Sequence, residues 1–112
     1  MKKILFVDDS KDTADALCAF GSALGHTCAV AYNGESAVSQ AAEDTYDIVF
    51  LDLMLPDTDG IAVCLEIRKG RSQSARIIAL TGSNELIDKE RRCIDAWLLK
   101  PPRMDELEQL LL

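Results

Sequence analysis

The sequence predicts an α/β sandwich, a doubly wound parallel sheet of five strands with helices on both faces. Two observations predict it. Four short apolar runs (residues 4–7, 48–51, 77–80 and 96–99) are continuous rather than alternating, as expected of strands covered on both faces. Longer amphipathic stretches separate them, and strict strand–helix alternation is the pattern of a parallel sheet.

The elements follow in order. Ile4 to Val7 form the first strand. Ser10 or Asp9 then caps a helix whose apolar positions are Ala14, Leu17, Cys18, Gly21 and Leu24, and Gly25-His26 ends it. Thr27 to Ala31 read as the second strand, and the Asn33-Gly34 turn opens a helix through about Glu43. Ile48 to Leu51 form the third strand, ending at Asp52. After a loop with Pro56 and Gly60, the residues Ile61, Cys64 and Leu65 mark the apolar face of a helix closed by Gly70. Ile77 to Leu80 form the fourth strand, ending at Thr81. A weaker helix carrying Leu86, Ile87 and Ile94 precedes the fifth strand, Ala96 to Leu99, which ends at Lys100. The last helix starts near Met104, with Asp105 and Glu106 in its first turn, where the helix dipole favours acids.

The 112 residues suffice for one domain with a real core, over residues 1–112, and not for two. No apolar run approaches the roughly 20 residues of a membrane span. Asp8 and Asp9 interrupt the first apolar run, so it is no secretory leader, and a cytoplasmic location is expected. A net charge of −7 argues against direct nucleic-acid binding, which requires basic clusters facing phosphate. It favours a cation or a basic protein patch instead. Cys18, Cys28, Cys64 and Cys93 contain no CxxC pair, and the expectation is four reduced thiols packed as small hydrophobes.

The polar residues just beyond the strands carry the functional signal. Asp8 and Asp9 follow the first strand, Asp52 ends the third, and Thr81 and Lys100 end the fourth and fifth. Ligands of open parallel sheets bind outside the carboxyl ends of the strands, where the strand order reverses. These five residues should therefore converge on one crevice.

The segments "FVDDS", "VFLDLMLPDTDG", "IIALTGS" and "WLLKPP" resemble the receiver domains of two-component response regulators, in family order and over essentially the whole chain. The resemblance implies a flavodoxin-like sheet of order 2-1-3-4-5. It implies that Asp52 is the phosphoacceptor, attacking a phosphohistidine of a sensor histidine kinase or histidine phosphotransfer protein. Asp8, Asp9, Asp52 and the backbone carbonyl of Met54 would hold Mg²⁺ or Mn²⁺, a hard cation suited to oxygen ligands. Lys100 would contact the acceptor and then the phosphoryl group. Thr81 would donate its hydroxyl to a phosphoryl oxygen, and Trp97 would follow it as the aromatic partner of a switch read by a downstream protein. Met54 and Ser83 match positions that influence phosphoryl lifetime, and slow autodephosphorylation is implied rather than turnover as an enzyme. Trp97 in place of Tyr or Phe, a shortened segment between Thr81 and Lys100, and Cys93 in place of a glycine depart from the family pattern.

Simpler roles exist for each residue alone. Asp9 can serve as a helix cap, Thr81 as a turn residue, Lys100 as a solvated charge and Trp97 as packing. A degenerate receiver, binding partners without phosphorylation, is the alternative with the same fold. "LPDTDGIAVCLE" partly fits a calcium loop through Asp57, Asp59, Gly60 and Glu66, but Leu55 replaces its first acid and a strand precedes it. An aspartyl-nucleophile hydrolase would want an acid where Ser10 stands.

Overall fold

The computed structural model describes residues 2–82, 93–100 and 102–111. Its elements run β1 (Lys3–Val7), α1 (Lys11–Ala23), β2 (Thr27–Ala31), α2 (Gly34–Glu43), β3 (Ile48–Asp52), α3 (Gly60–Ile67), β4 (Arg76–Thr81), β5 (Ala96–Leu99) and α4 (Met104–Leu111). The helix expected at Leu86 and Ile87 lies outside the described residues. Ile94, assigned to that helix, is buried in the non-helical approach to β5.

The strands form one parallel sheet in the order β2-β1-β3-β4-β5. Strand parity divides the core in two. Leu5, Val7, Val49, Leu51, Ile77 and Ala79 meet α2 and α3 through Ala37, Ala41, Val63, Cys64 and Ile67. Ile4, Phe6, Ile48, Phe50, Ile78 and Leu80 meet α1 and α4 through Leu17, Leu107 and Leu111. Phe6 and Phe50 are register partners on this second face, and their rings stack with centroids 5.0 Å apart. The central strands are apolar on both faces because each face carries its own helix pair.

Local chemistry sets the element ends. Ser10, rather than Asp9, caps α1 by accepting from the Thr13 N–H, and Asn33 caps α2 by accepting from Ser36. Gly25 takes φ 95° after α1, a conformation that side chains resist. Two helix faces differ from expectation. Leu24 lies beyond α1 at its C-cap and is exposed. Leu65 is also exposed, because α3 buries Gly60, Val63, Cys64 and Ile67, the i, i+3, i+4, i+7 set displaced from the one anticipated. That helix ends at Ile67, before Gly70.

The expectation of four reduced thiols is corrected. Cys64 of α3 and Cys93, 29 residues later, form a disulfide with Cα atoms 6.1 Å apart. Spacing along the chain gave no sign of it, because the crossover through β4 creates the proximity. Cys18 and Cys28 are free. Among the described residues no helix is long and apolar enough to cross a membrane.

Candidate functional site

The strand order reverses between β1 and β3, which are hydrogen-bonded neighbours. Asp8 follows β1 directly, and its N–H donates to the Ala31 carbonyl at 3.0 Å, continuing the ladder by one residue. Asp52 is the last residue of β3, opposite Leu80. Lys100 follows β5, and its N–H donates to the Thr81 carbonyl at 2.8 Å. Each of these residues thus sits at the first position after the apolar ladder, at the carboxyl end of the sheet.

Their side chains converge. Lys100 Nζ donates to Asp8 Oδ2 and to Asp52 Oδ2, both at 2.8 Å. The remaining oxygens are engaged as well: Asp8 Oδ1 accepts from Ser10 N–H at 3.0 Å and Asp52 Oδ1 from Met54 N–H at 2.9 Å. Asp9 is exposed, yet one oxygen from each of Asp8, Asp9 and Asp52 lies within 4.8 Å of the others. Three carboxylates therefore gather at one place, and the two that share the Lys100 ammonium are almost fully buried, at 1% and 4% exposure.

Such an excess is costly without compensation. Burial pushes the Asp52 carboxyl above the usual carboxylate range; Lys100 and the Met54 N–H pull it down without cancelling the rise, to which Asp8 adds. For Lys100, burial lowers the pKa, but the bonds to Asp52 and Asp8 outweigh this and hold the ammonium above its ordinary value. Hard oxygen donors and surplus negative charge in an open crevice fit a dication such as Mg²⁺. The residues that could hold it are Asp8, Asp9 and Asp52.

That loop is fixed from three sides. Met54 and Asp59 form an antiparallel bridge, and Gly60 N–H donates to the Leu53 carbonyl at 3.1 Å. Gly60 permits this close approach, since a Cβ there would lie 2.5 Å from Leu53 Cα and 2.8 Å from the Asp52 carbonyl oxygen. At the tip, Asp57 accepts from the backbone N–H groups of Gly34 and Glu35 at 2.9 and 3.1 Å, tying the loop to the start of α2. These bonds, Gly34's first, hold the Asp57 carboxyl below its usual range. Asp59 instead caps α3 through Ile61 N–H. The partial calcium-loop pattern is thereby accounted for, as Asp57 and Asp59 serve two different helix ends and Glu66 pairs with Lys69. The Asp57 contact was not anticipated, and a residue 23 positions from Gly34 carries no local signal of it.

Thr81 is fully buried at the end of β4, paired with Leu99. Trp97 pairs with Ala79, two residues back along β4, and packs half-buried on the α2/α3 side of the core. Thr81 and Trp97 therefore have the parity of one sheet face as diagonal neighbours. Met54, two residues after Asp52, exposes its side chain. Ser83 lies outside the described residues.

A family model for the response regulator receiver domain matches residues 4–112. A two-component response regulator from Clostridium difficile superposes with a TM-score of 0.89 at 29% identity, over 99% of this chain and 93% of that one. TrrA of Thermotoga maritima, a response regulator solved in complex with Mg²⁺-BeF, gives 0.87 at 33% identity over 99% and 96%. The receiver domain of a Pseudomonas aeruginosa sensor histidine kinase, with a magnesium ion coordinated in its active-site cleft, gives 0.84 at 30% over 98% and 93%. The chain belongs to the response regulator receiver domain family of two-component signalling.

Proposed function

We propose that residues 1–112 act as a single phosphorylation-driven receiver domain that takes a phosphoryl group onto Asp52. The observation that carries this reading is the placement of three carboxylates and one lysine at the point where the strand order reverses. The donor is a phosphohistidine on a sensor histidine kinase or histidine phosphotransfer protein. An Asp52 carboxylate oxygen attacks phosphorus, the P–N bond breaks, and its electrons stay on the ring nitrogen, so that the donor, protonated beforehand on its other ring nitrogen, departs as neutral imidazole. The product is an acyl phosphate.

Phosphoryl transfer demands positioning and charge stabilisation more than covalent chemistry. The Met54 N–H orients one oxygen of Asp52, leaving the other for attack once Lys100 yields it. Asp8, anchored by Ser10, keeps Lys100 at hand, and the ammonium turns to a phosphoryl oxygen after transfer. Asp8, Asp9, Asp52 and the Met54 carbonyl would hold Mg²⁺ or Mn²⁺, which supplies charge to offset the acids and the phosphoryl oxygens. The buried Thr81 hydroxyl donates to the phosphoryl group, and the adjacent Trp97 repacks, presenting a changed surface to a downstream protein partner. Water attacks the acyl phosphate slowly, so the domain resets itself without turnover as an enzyme. A cytoplasmic site of action and no direct contact with nucleic acid complete the proposal, the latter in keeping with the charge of −7.

Intact mass after incubation with a small acyl phosphate and Mg²⁺ tests it. The expected result is a gain of one phosphoryl group, absent in Asp52→Asn. Bound Mg²⁺ with no adduct would instead mark a receiver that binds partners without phosphorylation.

A further inference from the structure

We propose that Cys64 and Cys93 form a thiol–disulfide exchange site, a redox-controlled cross-link that fastens α3 to the approach of β5. The four cysteines fall into two unlike pairs. Cys18 and Cys28 are half-buried and free although their thiols interact, whereas Cys64 and Cys93 are buried and bonded. The second pair spans the α2/α3 face of the sheet, and its loop encloses the whole of β4 with Thr81 at its end. Cys93 lies three residues before β5 and four before Trp97, which packs in the same cluster with Cys64, Val63 and Ile94. The Cys93 carbonyl also accepts from Arg68 Nη2 at 2.7 Å, so the bond joins two parts already held in place by packing and a hydrogen bond.

The exchange is a two-electron step. A thiolate of an external dithiol attacks one sulfur and the Cys64–Cys93 bond breaks. A second donor thiolate resolves the mixed disulfide. The donor leaves as a disulfide, and Cys64 and Cys93 end as two thiols, having gained two electrons and two protons. A low-molecular-weight disulfide reverses the step. Both end states suit the site, since a buried thiol is a small hydrophobe and the surrounding Val63, Ile67 and Ile94 keep their contacts. Reduction removes the constraint on the unfolded chain and loosens the support beneath Trp97, while burial makes attack on the native protein slow. The redox site stands apart from the receiver reading; only its effect on the Trp97 response rests on that reading.

The test uses the full chain without a phosphodonor. Alkylation in denaturant without reductant, followed by intact mass, is expected to label two cysteines, with peptide mapping placing the bond between Cys64 and Cys93. After reductant, four are labelled. Four labels without reductant, or a different bond, would overturn the proposal. Equilibration in dithiol/disulfide buffers should then lower Tm by about 10 °C in the reduced form. The native protein should lose its bond many-fold more slowly than the unfolded one. The double variant Cys64→Ser with Cys93→Ser should melt like the reduced wild type at every buffer ratio, and Cys64→Ala with Cys93→Ala serves if serine prevents folding. Equal Tm values for oxidised and reduced wild type, or redox dependence persisting in the double variant, would refute the cross-link as a switch.

Discussion

The two ends of the sheet carry ionic networks of opposite design. At the amino end, one Arg68 guanidinium donates to the carbonyls of Gln73, Ala75 and Cys93 and to Asp95 Oδ2, which also accepts from Ile77 N–H. One cation meets one acid, and backbone carbonyls absorb the remaining donors. At the carboxyl end, among the described residues, Lys100 bonds both Asp8 and Asp52, and Asp9 lies beside them. The first network is balanced and needs nothing further. The second, among the described residues, sets three acids around one cation. A charge census around each end of a sheet thus separates a structural ion pair from a candidate site better than the count of ion pairs does.

The largest expected effect comes from breaking the unbalanced end. Lys100→Met leaves buried Asp8 and Asp52 facing each other without a cation, and should cost about 3 kcal/mol in Mg²⁺-free urea denaturation. Mg²⁺ should restore part of that loss, because the site then has its compensating charge. Gly60→Ala should follow, at about 1–3 kcal/mol, since its Cβ must displace the backbone of Leu53 and Asp52. It should also weaken Mg²⁺ binding, which a purely structural glycine elsewhere would not do.

Arg68→Ala sharpens the comparison from the other end. It should cost about 1–2 kcal/mol, as the half-buried guanidinium leaves the carbonyls of Gln73, Ala75 and Cys93 without their donor while Asp95 stays open to water. Mg²⁺ affinity should be unchanged, as measured by titration calorimetry. The smallest effect concerns Asp57. Its folded pKa is depressed, so its contribution to stability is present above the ordinary carboxylate range and is lost as pH falls through the depressed value. The Tm difference between wild type and Asp57→Asn should therefore be present at neutral pH and shrink in strong acid. A difference that grew with acidity would contradict the assignment.

Much of this was legible in the sequence, for a definite reason. Asp8, Asp52 and Lys100 each stand at the end of a continuous apolar run, so reading the strands was enough to bring their side chains to one place. Strand parity did the same for the two-faced core. What the sequence concealed were contacts between distant segments: Asp57 on the start of α2, Arg68 with Asp95, and Cys64 with Cys93. None has a local pattern, because each depends on where a crossover returns the chain. Helix α3 was misjudged for a related reason. The consecutive apolar residues Val63, Cys64 and Leu65 fit two helical registers, and only packing against the sheet selected the one that leaves Leu65 outside.

The central claim is that the carboxyl end of the sheet is an incomplete charge set awaiting a dication. Titration of the apo protein with Mg²⁺, followed residue by residue through backbone amide NMR, tests it most directly. The account predicts saturable shifts centred on Asp8, Asp9, Asp52, Leu53, Met54, Thr81 and Lys100. They should be lost in Asp8→Asn with Asp9→Asn and retained in Arg68→Ala. Shifts that persist in the double variant, or that gather around Arg68 and Asp95, would contradict it.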